Sequence, residues 1–485
     1  MSKYFVTTSI PYVNADPHIG FAMELLYGDV LARWARQQGN DVIFSTGTDE
    51  HGGKIADKAA SLKLEPKAYT DQVAKRFAEL KKLLNISNNR FIRTTDPSHE
   101  QRAQLIWKML SKDIYKGSYK GWYCTGDEAF FTDNEVKANG GVCPAHKLPY
   151  EHIEEENYFF KLSAYTEKIM AVIEDESFRI IPISRRNEIL SLLKSGLEDI
   201  SISRPKDKIS WGIGVPGDSS QVMYVWFEAL MNYITVLGYP EHEDFKAFWP
   251  ADVQVIGKDI LRFHAAIWPA MLMSLDIALP KTLFVHSFIT YEGQKMSKSV
   301  GNVLHPADIV KDYGIDGCRY FFLRHVPSYE DGDFSWQRLN DTYNGELANE
   351  LGNAVQRTAV MIKKYLNGSV GQIKLAEHDA ADYEQALNDC RFDRALDDVW
   401  EQVRGLNQYI DEEKPWEIAA ADDQEHLKEV LSYQVGSLIT IAHLLEPFLP
   451  DTAQKIHATF KDGKVNLANT VLFPRKESIA KPKVD

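Results

Sequence analysis

The chain has 485 residues, enough for roughly two to four domains, each with its own core. Hydrophobic residues make up 44% and charged residues 26%, the balance of a globular protein, and no apolar run approaches the roughly 20 residues of a membrane helix. A net charge of −14 argues against indiscriminate nucleic-acid binding but allows a local basic face, and four cysteines are too few for a disulfide scaffold.

Tyr4 to Thr8 is β-branched and aromatic and reads as a short buried strand that leaves no room for a leader peptide, so a cytoplasmic location is expected. Met23, Leu26, Val30 and Trp34 then recur at helical steps towards Arg36, with Gly39 beyond the helix end. The turn between holds Pro11, Pro17 and His18-Ile19-Gly20. A bare backbone at a helix start, with its unpaired N–H groups, suits a phosphate, though His18 could equally be an ordinary cap. Asp41 to Ser45 predicts a second strand running into the polar turn Thr46 to Gly52, with helices at about 53–62 and 67–84. This alternation predicts a parallel sheet with ligands beyond its carboxyl ends, where Asp49 or His51 either meets a polar ligand or stabilises the turn.

From about 115 to 215 the alternation breaks and an insertion begins. It carries Cys124 and Asp127, then Cys143 and His146, two pairs each with two intervening residues, which is the pattern of a zinc knuckle. Asp127 stands where a second Cys would be expected, so a knuckle that has lost its metal and kept its fold is the competing reading.

The sheet is expected to resume at Gln221 to Trp226, followed by Trp226, Ala229 and Tyr233 at helical spacing, then Val253 to Ile256 ending in Gly257-Lys258-Asp259, then Lys281 to His286. Asp259 suits a ribose hydroxyl or a helix cap. Beyond lies Lys295-Met296-Ser297-Lys298-Ser299. Two lysines three apart in a small-residue loop can converge on one polyanion. After about 335 long helices are predicted at 337–365, 380–411 and 424–446, then a polar tail expected to be loose from Arg475.

His18-Ile19-Gly20 together with Lys295 to Ser299 resembles the paired signatures of the class I aminoacyl-tRNA synthetases. Ser9 to Asn14, Thr46 to Gly52, Asp199 to Pro205, Tyr224 to Trp226, Gly257 to Ile260, Glu350 to Asn353 with Arg357, and Lys414 to Trp416 resemble the methionyl-tRNA synthetase family within that class. The fold so implied is an α/β Rossmann-type catalytic domain with an inserted connective, zinc-knuckle-like domain, followed by an all-α anticodon-binding bundle. Its divisions fall at 1–114, 115–215, 216–290, 291–336, 337–470 and 471–485.

The resemblance implies an enzyme that joins L-methionine to tRNA(Met) through a methionyl-adenylate, using ATP with Mg²⁺ and, if the knuckle is loaded, holding Zn²⁺ on Cys124, Asp127, Cys143 and His146. Ile10, Tyr12, Trp226, Ala229, Tyr233 and His286 would line the methionine pocket, with Asp49 on the ammonium and Arg204 near the carboxylate. Tyr12, His18, Gly20, Glu24, Gly257, Asp259, Ile260 and Lys298 would hold ATP. His18, Lys295 and Lys298 would serve the phosphoryl chemistry. Asn353, Arg357 and Trp416 would read the anticodon.

One position departs from the family signature: Phe21 stands where a second His is usual, and is expected to tune ATP affinity without abolishing the reaction. Isoleucyl, leucyl and valyl relatives would carry a larger editing insertion. A small-molecule nucleotidylyltransferase would leave the helical third unexplained, and a noncatalytic RNA-binding paralogue would not need both lysines. With no β-rich module after the bundle, a monomer is expected.

Overall fold

A computed structural model describes residues 1–126, 129–131, 133–145, 147–296 and 302–477. The first half follows the predicted alternation: β1 (Lys3–Thr8), α1 (Ile19–Gln37), β2 (Asp41–Thr48), α2 (Gly53–Ser61), α3 (Pro66–Leu83), β3 (Arg90–Arg93) and α4 (Pro97–Met109). The backbones of α1 and β2 approach closely at Gly28, where an added Cβ would sit 2.8 Å from the Phe44 ring. At Gly47 the approach is closer still, since a Cβ there would meet the Ile92 carbonyl oxygen at 2.0 Å.

The insertion contains β4 (Ile114–Cys124), β5 (Ala129–Phe131), α5 (Asp133–Ala138), β6 (Glu151–Phe160), α6 (Thr166–Glu174), β7 (Arg179–Ile181), α7 (Ile183–Lys194), β8 (Ile200–Ser201), β9 (Ser203–Pro205), β10 (Gly214–Val215) and β11 (Asp218–Met223). Strands β5, β4, β6 and β8 form one antiparallel sheet and β10, β11 and β9 another. Two expectations change here. The strand predicted over Gln221–Trp226 ends at Met223 and pairs with β9 and β10, outside the main sheet. Tyr224 instead starts the helix α8 (Val225–Leu230). Conversely β7, inside the predicted insertion, pairs in parallel with a strand of the main sheet. Three residues are too few to give a periodic signal of their own.

The chain returns through α9 (Asn232–Thr235), α10 (Glu243–Phe248), β12 (Val253–Gly257), α11 (Trp268–Ser274) and β13 (Thr282–His286). The main sheet is parallel throughout, in the order β3-β2-β1-β12-β13-β7. The order in which strands are added reverses between β1 and β12, the switch point at which such sheets open a crevice at their carboxyl edge.

Strands β14 (Ile289–Tyr291), β15 (Gln294–Lys295) and, after α12 (Pro306–Tyr320), β16 (Gly332–Phe334) make a small sheet whose β15 ends at Lys295. The helical third holds α13 (Trp336–Thr342), α14 (Asn353–Tyr365), α15 (Ala381–Asn388), α16 (Phe392–Glu413), α17 (Pro415–Ala420), α18 (Gln424–Leu445) and α19 (Pro450–Thr459). The first predicted long helix is interrupted by a π-helical stretch over Tyr343–Gly352, and the second breaks at Cys390, which takes a positive φ of 52°. Ala395, Leu396, Val399, Trp400, Val403, Leu406 and Ile410 form the buried stripe of α16, the helical period that made this region legible. The tail is anchored at its start, because the Lys476 backbone exchanges two hydrogen bonds of 2.9 Å with the Asn344 side chain. No described helix is long and apolar enough to cross a membrane.

The main sheet and the helical third are joined around Arg319, which is fully buried. It pairs with Asp29 of α1 at 2.8 Å and donates to the carbonyls of Leu84, Pro447 and Phe448. Burial works against the Asp29 carboxylate, yet Arg319 and Arg33 hold it below the usual carboxylate range.

Candidate active site

The turn after β1 and the turn after β2 are stitched together. Asp49 donates its N–H to Pro11 O at 2.9 Å and accepts from Val13 N at 3.1 Å, and Tyr12 and Asp49 form a parallel bridge. Asp49 is therefore carried on a fixed backbone beside Tyr12, buried to 3% exposure. Glu50, next along, is clamped by Arg93 through two bonds of 2.7 Å and by the Thr48 and Thr95 hydroxyls.

His18 is the N-cap of α1. Its Nδ1 accepts from the Gly20 N–H at 3.1 Å, which makes Nε2 the protonated ring nitrogen in the neutral form. The cap reading of His18 is thus seen in the structure, and it engages Nδ1 alone of the two ring nitrogens in this contact. A Cβ at Gly20 would sit 3.0 Å from the His18 ring, so the glycine lets the imidazole fold over the turn. The Ile19 N–H donates to Leu304 O at 3.0 Å, His305 Nδ1 lies 3.2 Å from Pro17 O, and Asn302 Nδ2 donates to Lys295 O at 3.2 Å. The two ends of the lysine-bearing loop are therefore tied to each other and to the His18 turn. Lys295 is exposed, with Nζ 6.0 Å from the Phe288 ring centre. Lys298 lies outside the described residues.

Phe21 turns away from this edge. Its ring is 8% exposed and meets Phe77 of α3 edge-on at 5.5 Å.

Glu24, one turn further along α1, is buried and reaches back across the crevice. One oxygen accepts from Ser9 N at 2.7 Å and Ser9 Oγ at 2.6 Å, and the other pairs with His286 Nε2 at 2.9 Å. His286 Nδ1 also donates to Ser287 O at 2.9 Å. Burial disfavours the charged imidazole, but the Glu24 carboxylate outweighs this and raises the His286 pKa. Gly257 and His286 are cross-strand partners of β12 and β13, and Ser9 donates to Val255 O, so these residues share one edge. Asp259 is exposed and Ile260 half-buried just beyond.

Helix α8 supplies the apolar wall. Trp226 stacks on Phe263 at 4.4 Å, and Ala229 and Tyr233 are buried. The Tyr233 hydroxyl donates to His264 Nε2 at 2.7 Å while His264 Nδ1 donates to Ile260 O at 3.0 Å. Tyr12 and half-buried Trp226 pack against the cluster that holds Tyr233, Ile256 and Val285. Ile10 is half-buried at the start of the first turn. Arg204 lies on β9. Its guanidinium donates to Ser203 O at 2.8 Å and Ser201 Oγ at 3.0 Å and covers the Tyr224 ring at 4.3 Å, one residue before α8.

Residues that the sequence reading did not single out complete the site. Trp211 Nε1 donates to Glu50 O at 2.6 Å and its carbonyl accepts from Gly52 N. Glu228 and His99 are buried behind the Asp49 turn. Glu228 did carry a signal, as a lone carboxylate inside an apolar helical stripe. His99 carried none.

In the insertion, Cys124 and Cys143 are buried in one small cluster with Val136 and Tyr150. Asp127 and His146 fall outside the described residues. In the helical third, Asn353, Gln356, Arg357, Val360, Met361 and Trp416 line an open groove of about 400 Å³. Arg357 sits 5.5 Å above the Trp416 ring and pairs with Asp411 at 3.0 Å, and Trp416 is 38% exposed.

A family model described as "tRNA synthetases class I (M)" matches residues 4–152 and 146–359. The chain is 43% identical over 470 residues to the methionine–tRNA ligase of Brucella melitensis biotype 1, covering 94% of this chain and 91% of that one. It is 41% identical over 472 residues to that of Thermotoga maritima, covering 94% and 74%. The solved structure of Mycobacterium tuberculosis methionyl-tRNA synthetase in complex with methionyl-adenylate superposes with a TM-score of 0.89 at 38% identity, covering 100% of this chain and 99% of that one.

Proposed function

The chain belongs to the methionyl-tRNA synthetase family of class I tRNA synthetases, and from that premise we propose how its sheet edge divides the work of charging tRNA. The reaction is the ATP-dependent ligation of L-methionine to tRNA(Met). The methionine carboxylate attacks the α-phosphorus of ATP and pyrophosphate leaves. The terminal ribose hydroxyl of the tRNA then attacks the adenylate carbonyl and AMP leaves.

In our reading the substrate ammonium sits on Asp49, held in place by the Tyr12 bridge. The thioether lies among Ile10, Tyr12, Trp226, Ala229, Tyr233 and His286, where shape and soft contacts must do the selecting because sulfur offers no strong hydrogen-bond handle. Arg204, anchored on β9, serves the carboxylate side. His18 donates from Nε2 to the phosphates beside the bare start of α1, with Gly20, Glu24, Gly257, Asp259 and Ile260 around the nucleotide. Lys295 and Lys298 approach the same phosphates from a loop tethered to the His18 turn. Mg²⁺ bound with ATP would add positive charge where negative charge develops. Glu24 acts chiefly through His286 and Ser9, since both of its oxygens are engaged within the protein.

The observation that carries this reading is the convergence of β1, β2, β12 and β13 on one carboxyl edge, with Asp49, His18, Glu24 and His286 arrayed along it. Pyrophosphate exchange into ATP, with each amino acid in turn, tests it. Exchange with methionine alone is expected, and exchange with a different amino acid would overturn the assignment.

Asn353, Arg357 and Trp416 would read the anticodon in the helical groove, with Trp416 stacking on a splayed base. Zinc would be structural. Two buried thiols in one cluster are a fitting half of a tetrahedral set, and Asp127 and His146 would supply the rest. Metal content of purified protein, compared between the parent and Asp127→Ala, checks this: an unchanged zinc content would remove Asp127 from the ligand set.

A further inference from the structure

Behind the Asp49 turn lies a buried chain of polar groups with no part in the scheme above. Glu228, on α8 between Phe227 and Ala229, is fully buried. One carboxylate oxygen is 2.7 Å from His51 Nδ1 and the other is 2.9 Å from His99 Nε2 on α4. His99 Nδ1 in turn meets Thr235 Oγ1 on α9 at 2.8 Å. A lone carboxylate in an apolar helix would be costly to bury, and two ring nitrogens aimed at its two oxygens make it tolerable.

We propose that Glu228 is a positioning residue for the amino-acid substrate: gripping His51 with one oxygen and His99 with the other, it locks the Asp49–Gly52 turn to α8 and so fixes the distance between the ammonium acceptor and the aromatic wall. The inference rests on the reading that Asp49 receives the ammonium and that α8 lines the pocket.

Three features favour positioning over simple core satisfaction. The grip links the two segments that carry opposite ends of the substrate: His51 is two residues from Asp49, and Glu228 is adjacent to Ala229 and two residues from Trp226. The rest of the turn is already immobilised, with Asp49 held by the Tyr12 segment, Glu50 by Arg93, and Gly52 by Trp211, so Glu228 is its contact with the pocket helix. The charges also suit a cationic substrate group. His51 is faced by Glu228, by Glu100 Oε1 at 3.6 Å from Nε2, by the Asp49 carboxylate and by the Trp211 ring at 5.4 Å. Burial opposes its protonation, but these carboxylates push its pKa up to about 10. An imidazolium thus neutralises Glu228, and the turn that carries Asp49 is held by a charged as well as a hydrogen-bonded contact.

Glu228→Gln in the full chain keeps the shape and one acceptor while removing the charge. In pyrophosphate exchange the KM for methionine should rise about tenfold, as for other positioning partners of a binding group, with the KM for ATP unchanged. Methioninol, which keeps the ammonium, should lose inhibitory affinity by the same factor. 4-(Methylthio)butanoate, which lacks the ammonium, should inhibit as before. Equal losses for all three ligands, or a parallel rise in the KM for ATP, would make Glu228 a general structural group and overturn the proposal, as would an unchanged KM for methionine. Asp49→Asn separates the premise: if it leaves methionine and methioninol unaffected, the Asp49 reading fails, whereas a strong Asp49→Asn effect beside a silent Glu228→Gln defeats positioning alone. If Glu228→Gln does not fold, His99→Leu removes one of the two grips and should show the same ligand pattern at smaller amplitude.

Discussion

The Tyr233 hydroxyl and His264 Nε2 lie 2.7 Å apart in a fully buried contact, with the imidazole committed as acceptor because its Nδ1 donates to Ile260 O. Burial drives the His264 pKa down to about 4, so the folded protein holds this ring neutral. The unfolded chain takes up its proton near the ordinary imidazole value of about 6.5. Stability from this group is complete above that value and drains as pH falls towards about 4, by about 3 kcal/mol over the interval. Urea unfolding at pH 7 and pH 4.5 should show the loss, and the difference between parent and His264→Gln should shrink at the lower pH.

Phe21→His should change stability and leave catalysis alone. The ring is packed against Phe77 rather than presented to the phosphate turn, so an imidazole there would bury polar nitrogens at a cost of about 1–3 kcal/mol. The expected result is a lower melting temperature with an unchanged KM for ATP. A tighter KM for ATP would show that the ring can reach the nucleotide.

Arg319→Met should be among the most damaging single changes outside the active site. It strips a buried arginine from Asp29 and from three carbonyls, leaving Asp29 with Arg33 and the Ser87 N–H. Breaking such a pair costs about 3–5 kcal/mol, readable as a fall in the urea midpoint at neutral pH.

Trp416→Ala should separate the two half-reactions. Loss of a stacking surface for one base weakens tRNA binding by about 1–3 kcal/mol. Aminoacylation at subsaturating tRNA should drop accordingly while pyrophosphate exchange, which needs no tRNA, stays at the parental rate. A parallel fall in both would place Trp416 in the fold rather than in recognition.

Much of the molecule was legible before its structure. Strand-helix alternation announced the parallel sheet, and the heptad-like stripe of α16 announced the bundle, because both are periodic signals averaged over many residues. The local turns were legible as chemistry: His18, Asp49 and Lys295 stood out as polar residues at strand or helix ends. What escaped was long-range pairing. Nothing near His99 says that it will meet Glu228, 129 positions later. Nothing in the sequence around Gln221 says that this strand pairs with Arg204 and Pro205 instead of joining the main sheet. The strand β7 went unseen because three residues carry almost no pattern, and the π-helical stretch over Tyr343–Gly352 because its apolar residues keep a period close to that of an α-helix.

Arg319 also bears on where this chain could be cut. Its guanidinium satisfies Asp29 on one side and the Pro447 and Phe448 carbonyls on the other, so the connection between α18 and α19 packs against the helix α1 of the main sheet. A fragment ending at residue 336, the apparent seam in the sequence, would expose a buried cation and its partner to water. The sequence seam and the mechanical seam of this enzyme do not coincide.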